Sequence, residues 1–204
     1  EQKEGTCCFA PAEVYFSKIE KDKVTICAPT SKITKRGDTL GGVNLTIVIT
    51  APMPEVLRIQ TAHYLGVQKK TPEFELENIT DGNMKAEETE DRLIVSSGSL
   101  RIEVMKHNCA MTFYRGNEKI TGSSGKDLAY MKTNWRGLMY DDGSINDTYM
   151  RAQLSIGVGE LIYGLGERFT PFTKNGQSVD MWNADGGTST DQSYKNIPFY
   201  ISNK

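Results

Sequence analysis

Apolar side chains recur at every second position along most of this chain, and that period admits strands and excludes helices. Val43, Leu45, Ile47 and Ile49 alternate with Asn44, Thr46 and Val48. Leu57 and Ile59 flank Arg58, and Phe74 and Leu76 sit between Glu73, Glu75 and Glu77. Leu100-Arg101-Ile102-Glu103-Val104 and the longer run Met150 to Val158 follow the same rule. Successive side chains of a strand point to opposite faces, so each run offers one apolar face to a core and one polar face to water. Val14-Tyr15-Phe16 and Val24-Thr25-Ile26, separated by Glu20-Lys21-Asp22-Lys23, predict a hairpin. Met111 to Tyr114 and Lys119 to Thr121, joined through Arg115-Gly116-Asn117-Glu118, predict another.

Turn residues fall between these runs: Gly41-Gly42, Pro52 and Pro54, Asp81-Gly82-Asn83, Gly98, Asp142-Gly143 and Gly186-Gly187. No run of a dozen residues has helical period. The polar stretch Asn83 to Arg92 has room for a helical turn but carries no apolar stripe. Many short antiparallel strands with frequent turns predict an all-β sandwich or barrel. No repeat and no linker rich in Pro, Gly and Ser divides the 204 residues, so one domain is expected. Pro198 to Asn203 reads as a strand running into the end of the chain, which points to a piece of a longer polypeptide.

Composition narrows the function classes. A net charge of -2 without any basic block argues against a nucleic-acid partner. No segment approaches the ~18–20 apolar residues that cross a bilayer, so no membrane is expected as a partner. No basic-then-apolar segment opens the sequence, so no signal peptide is expected within it, while a start at Glu1 rather than Met leaves a removed signal open. The four cysteines, Cys7, Cys8, Cys27 and Cys109, show no C-x-x-C spacing, and adjacent Cys7 and Cys8 make poor disulfide ends. Free thiols in a reducing cytoplasm are the expectation. His63 and His107 are far apart and lie in no metal-ligating spacing, so they read as surface or hydrogen-bonded side chains. No metal site is expected from these residues. The sequons at Asn44, Asn78 and Asn146 carry no weight without a sign of secretion.

The stretch from Tyr163 to Tyr200 has a different character, with glycines, carboxylates and aromatic rings together. Sugars are bound by this mixture, because aromatic faces pack on the C–H face of a pyranose while carboxylates and amides take its hydroxyls. Asp185 precedes Gly186 and Gly187, a setting for a carboxylate at an exposed loop tip, although an Asx-turn role is the commoner one for such a residue. Trp182 stands just before that loop and is expected to support it, whereas Trp135, like Trp182, also suits a core. Gly164 and Gly166 do not continue into a G-x-G-x-x-G motif, since Phe169 takes the third place. Close backbone packing at a β-bulge explains them better than a dinucleotide. Retaining glycoside hydrolysis needs two carboxyl groups about 5 Å apart. Glu167, Asp180, Asp185 and Asp191 are the candidates, and their spacing pairs none of them.

Four segments in order carry a resemblance: Tyr163-Gly-Leu-Gly-Glu-Arg-Phe-Thr170, Asn175-Gly-Gln177, Trp182-Asn183-x-Asp185-Gly-Gly-Thr-Ser-Thr190 and Tyr194-Lys-Asn-Ile-Pro-Phe-Tyr200. Together they resemble the amino-terminal domain of family 31 glycoside hydrolases, most of all the bacterial α-xylosidase branch. Arg92 to Val104, Arg115 to Gly122 and Ile156 to Glu160 fit as well, while the first 80 residues or so match only in strand pattern. The resemblance implies a galactose-mutarotase-like antiparallel β-sandwich (a supersandwich) spanning 1–204 that packs on a (β/α)8 barrel absent from this chain. That barrel carries the aspartate nucleophile and the aspartate acid/base, so no catalytic residue is expected here. The implied reaction is retaining hydrolysis of a terminal α-linked sugar without a cofactor, on an α-linked oligosaccharide or xyloside. The family's loop aspartate falls on Asp185, with Thr188 as a neighbour, at the aglycone side of the active site. Mutarotase activity is not implied: it needs a histidine and a glutamate facing the sugar, and no histidine lies between Tyr163 and Tyr200. The resemblance also leaves room for a homo-oligomer. The alternative reading is a free-standing carbohydrate-binding module, and a third is a sandwich that only braces the barrel.

Overall fold

The computed structural model describes residues 5–64, 82–133, 147–181 and 195–204. The expected strand through Phe74 and Leu76, both tryptophans, and the sequons at Asn78 and Asn146 lie outside them. The chain divides into two compact units, 1–155 and 156–204. The described residues contain fourteen strands and one 3-10 turn, Arg36–Thr39, and no α-helix.

The first unit is built on two antiparallel sheets. One has the order β2 (Phe16–Ile19), β3 (Lys23–Pro29), β4 (Asn44–Met53), β5 (Val56–Ala62). The other runs β10 (Glu118–Ser123), β9 (Met111–Arg115), β8 (Leu100–Met105), β7 (Arg92–Ser97), β6 (Lys85–Glu88). Val24, Ile26, Leu45, Ile47 and Ile49 from the first join Leu93, Val95, Ile102, Val104 and Met111 from the second in one buried cluster. Their alternation is the one read from the sequence, so the all-β sandwich is the observed fold. The register follows from it: Ile26 pairs with Ile47 and Ile49 with Ile59, and Val95 pairs with Ile102. A slip of one residue would turn every one of these side chains to water. Both expected hairpins form, with Ser17 opposite Ile26 and Thr112 opposite Gly122.

A third sheet in this unit has the order β1 (Thr6–Phe9), β11 (Ala129–Thr133), β12 (Asp147–Arg151). All four cysteines are free thiols. Burial pushes the Cys109 thiol up to about 12, with Glu13 adding a smaller push, which keeps it protonated and a poor nucleophile.

Two local expectations change. Asn83 to Arg92 holds no helical turn: Lys85–Glu88 is an edge strand paired with β7, Ala86 opposite Val95. Its Lys85, Glu87 and Glu88 are exposed, as suits an edge that must resist pairing with another chain. The strand expected from Met150 to Val158 ends at Arg151. Beyond it Ser155 still bonds to β10, its N–H donating to the Gly122 carbonyl at 2.8 Å and its own carbonyl accepting from Thr121 Oγ1 at 2.8 Å. Leu154, Ile156 and Val158 are exposed. Alternation offers them one common face, but no ladder extends along the segment.

The second unit centres on a two-stranded ribbon, β13 (Ile162–Gly164) with β14 (Tyr200–Ser202), Tyr163 opposite Ile201. The strand expected over Pro198 to Asn203 is therefore present as β14. Side chains extend the ribbon at one end. Leu161 N–H donates to Asn203 Oδ1 at 2.8 Å, Asn203 N–H returns a bond to the Leu161 carbonyl at 3.2 Å, and Lys204 Nζ donates to the Val158 carbonyl at 3.1 Å. Glu160 accepts from the Gly157 N–H at 2.7 Å, the main cause of its lowered pKa, with Ser202 contributing next.

Candidate functional site

The segment rich in aromatics and glycines lies in the second unit, and its local sequence explains its shape. Gly164, Leu165 and Gly166 have φ of 108°, 70° and 86°, three successive left-handed values. This twist turns the chain out of β13 while keeping it against the segment that leads into β14: Leu165 N–H donates to the Phe199 carbonyl at 2.8 Å, and Glu167 N–H to the Lys195 carbonyl at 3.2 Å. A Cβ on Gly166 would overlap the Lys195 carbonyl oxygen and lie 2.8 Å from Ile197 N. The two glycines thus serve close backbone approach at the end of the ladder. Glu167 also pairs with Lys195 Nζ at 2.8 Å, an exposed ion pair of small energetic weight.

Residues 170–177 fold back along β13. Asn175 imitates a strand partner: its Oδ1 accepts from the Ile162 N–H at 2.8 Å and its Nδ2 donates to the Glu160 carbonyl at 2.9 Å. Lys174 N–H donates to the Ile162 carbonyl at 2.7 Å, and its buried ammonium donates to Thr170 Oγ1 at 2.9 Å and the Pro171 carbonyl at 2.7 Å. Gln177 Nε2 donates back to the Thr173 carbonyl. The Tyr163 ring packs on Phe172, centroids 5.1 Å apart. The Asn175-Gly-Gln177 motif is therefore the scaffold of this unit, with Gly176 at a φ of 73° completing the turn.

Arg168 gathers three segments. Its Nε donates to the Leu165 carbonyl at 3.1 Å. Its Nη2 donates to the Asp180 carbonyl at 2.7 Å and to Asn196 Oδ1, and stands 3.7 Å from Met181 Sδ. The chain thus leaves toward residue 182 and returns from residue 194 within reach of a single nitrogen. Sequence reasoning did not single out Arg168 beyond its place in the motif, because its partners are 12 and 28 residues away.

Asp185 and Thr188, the two candidate substrate contacts, lie outside the described residues, as do Asp191 and the supporting Trp182. Of the candidate carboxylates, Glu167 is engaged with Lys195, while Asp180 meets Arg168 through its backbone carbonyl. Phe169, Phe172, Phe199 and Tyr200 are exposed. His63 Nδ1 lies 3.1 Å from the Asn44 carbonyl with its ring 4.4 Å from that of Tyr130, and His107 is exposed in a turn, so both are surface or hydrogen-bonded as expected.

Cavities in the first unit are chemically different. One of about 310 Å³ is lined by His63, Tyr64, Tyr130 and Tyr149 among others. Another of about 180 Å³ includes Asp38, whose carboxylate accepts from Thr34 Oγ1 at 2.7 Å and from the N–H of Lys35 at 3.0 Å. Neither lining holds a pair of carboxylates. No cluster of three His, Cys, Asp or Glu side chains able to hold a metal occurs among the described residues. No helix among them is long and apolar enough to cross a membrane.

Comparison with known proteins places this arrangement. An α-xylosidase of Lactiplantibacillus pentosus, XylQ, is 39% identical over 95% of the chain, and an α-xylosidase of Emericella nidulans is 34% identical over 92%. The chain spans only 24% and 26% of those proteins, about a quarter of their length. Among solved structures, a family 31 dextranase of Flavobacterium johnsoniae superposes with a TM-score of 0.66 over 95% of this chain and 21% of its own, at 18% identity. A cycloalternan-forming enzyme of Listeria monocytogenes gives 0.62 over 97% of this chain and 17% of its own, at 16% identity. At such identities the likeness speaks for the fold alone. Residues 46–204 match the glycosyl hydrolase 31 N-terminal galactose mutarotase-like domain, and this chain belongs to that family.

Proposed function

We propose that this chain is the amino-terminal accessory domain of a retaining exo-α-glycosidase, an α-xylosidase, that removes terminal α-linked sugars. The observation that carries this reading is the 39% identity to an α-xylosidase over nearly the whole chain. In this reading the nucleophile and the acid/base aspartates belong to a (β/α)8 barrel of the same polypeptide, and the substrate is an α-linked oligosaccharide or xyloside. Asp185, with Thr188 beside it, contacts the aglycone side of the active site. That role rests on the resemblance of Trp182 to Thr190, and it gains support from Arg168, which brings together the segments leading into and out of residues 182–194. A reducing cytoplasm is the proposed location, supported by the four free thiols.

The 204-residue chain by itself is expected to give no measurable hydrolysis of an aryl α-xyloside. Calorimetry with xylosyl and glucosyl oligosaccharides is expected to show no binding, because half a site is completed only by the barrel. Micromolar binding would favour a free-standing carbohydrate-binding module instead. In the full-length polypeptide, Asp185→Ala is expected to lower kcat/KM for an α-xylosyl disaccharide by a factor of ten or more. A hydrogen bond to a charged group contributes roughly 1.5–3 kcal/mol, and about 1.4 kcal/mol corresponds to tenfold. Wild-type kinetics in that variant would remove the role given to Asp185.

A further inference from the structure

We infer that the β4–β5 turn is a latched strap: the Glu55 carboxylate ties it to the β7–β8 turn, holds that edge of the sandwich shut over an apolar cavity, and lets go when it is protonated. Met53 and Val56 are Cα partners, so Pro54 and Glu55 form the two-residue turn between them. Proline at the first of these positions with a positive φ at the second describes a turn that favours glycine at the second. Glu55 stands there instead, at a φ of 61°, a left-handed value that is unfavourable for a residue with a Cβ. Its side chain supplies the reason. Oε1 accepts the Ser99 N–H at 2.8 Å and Oε2 accepts the Ser99 hydroxyl at 2.6 Å, so both oxygens hold one residue of the opposing turn. The carboxylate thereby links the two large sheets. The receiving turn leaves room for it: Gly98 has a φ of 59°, and a Cβ there would overlap Glu55 Oε1. Backbone strain at one residue is retained because the contact it allows fixes two turns at once.

The clasp stands beside an opening in the core. A cavity of about 180 Å³ is lined by Leu57, Leu100, Ile102, Phe113 and Ile120 among others. Leu57 follows Glu55 by two residues on β5, and Leu100 follows Ser99 directly on β8, so the joined turns lead into walls from different sheets. Bonds to an ionised acceptor are stronger than neutral ones, and protonation turns one carboxyl oxygen into a donor. The Ser99 hydroxyl, then the Ser99 N–H, hold the Glu55 carboxyl below its usual 4.5, against a smaller push from desolvation. The charge of Arg115, opposite Leu100, acts with them. Arg101 on β8 is engaged by Glu103 and the Gly116 carbonyl, Glu118 stands opposite Arg115, and Arg58 on β5 stands opposite Thr50. With the folded value depressed, the clasp is fully present above the unfolded value and is lost as pH falls through the folded one, so release lies below 4.5.

The test reads amide exchange in the 204-residue chain as protection factors, with Glu55→Gln and Glu55→Gly beside the wild type. The Ser99 N–H has the Glu55 carboxylate as its acceptor, so its protection reports the clasp. In the wild type it is expected to fall by about fivefold or more from about pH 6 to about pH 3.5, while the amides of Ile26, Ile47 and Ile102 change by less than about twofold. Glu55→Gln is expected to remove that pH dependence. Glu55→Gly suits the left-handed turn better, yet it is expected to lose about fivefold of the Ser99 protection at about pH 6. It should also raise the fluorescence of an anilinonaphthalene sulfonate dye about threefold by uncovering the apolar lining. Wild-type Ser99 protection in Glu55→Gly, or a fall with pH that persists in Glu55→Gln, overturns the latch, because the turn alone would then order Ser99. Core amides that fall together with Ser99 overturn it as well, since the opening is then global. Lost Ser99 protection without a rise in dye fluorescence overturns the hold that the strap has over the cavity.

Discussion

Ile47→Ala is expected to destabilise the first unit by about 2–5 kcal/mol, the range for removing a large aliphatic side chain from a packed core. Ile47 is 0% exposed on β4, the strand that lies between β3 and β5. Its Cα partners are Ile26 and Thr61, and its side chain belongs to the cluster shared by the two large sheets. Truncation leaves a cavity that strands held by ladders on both sides cannot collapse to fill. Domains are stable by only about 5–15 kcal/mol, so this single change removes a large fraction. Urea denaturation should show a lower midpoint with an unchanged slope. Val48→Ala is the control. Val48 is half-buried on the opposite face of the same strand, and its truncation should be the milder of the two. A reversal of that order would mean that β4 is paired one residue out of register, which exchanges the two faces.

The same contrast shows what the sequence makes legible. Leu45, Ile47 and Ile49 can be assigned in advance because the alternation and the burial report one physical fact, a strand with a single apolar face. Lys85–Glu88 cannot, because an edge strand protected by charge carries no apolar signal apart from Ala86. Its pairing is decided by β7 beside it. Leu154, Ile156 and Val158 show the converse. Their alternation states which face is apolar and nothing about whether a sheet lies against it. At the candidate site the glycines of Gly164-Leu165-Gly166 are legible as close approach, since only a missing side chain suits that spacing. The role of Arg168 is not, because its acceptors come together only after the chain has turned twice. Asp185 and Thr188 were singled out by resemblance, with composition alone favouring an ordinary turn.

Gly166→Ala is expected to destabilise the second unit by about 1.5–3.5 kcal/mol, from two separable causes. An L-residue held at a left-handed φ costs about 1–2 kcal/mol, and Gly166 sits at 86°. The new methyl would also overlap the Lys195 carbonyl oxygen, which accepts the Glu167 N–H at 3.2 Å. The returning chain must then move or surrender that bond, a loss of about 0.5–1.5 kcal/mol for a typical hydrogen bond. Gly176 separates the two causes: its φ is 73°, but a Cβ there meets nothing within 4 Å. Gly176→Ala should therefore show the backbone cost alone, about 1–2 kcal/mol. Amide exchange at Leu165, Glu167 and Asn203 reads the effect where it arises, while the amides of β3, β4, β7 and β8 should keep their protection. If the two alanine variants lose equal protection, Lys195 does not approach Gly166 as described. The ribbon end would then be free to shift, and Arg168 would have no fixed base from which to hold Asp180 and Asn196 together.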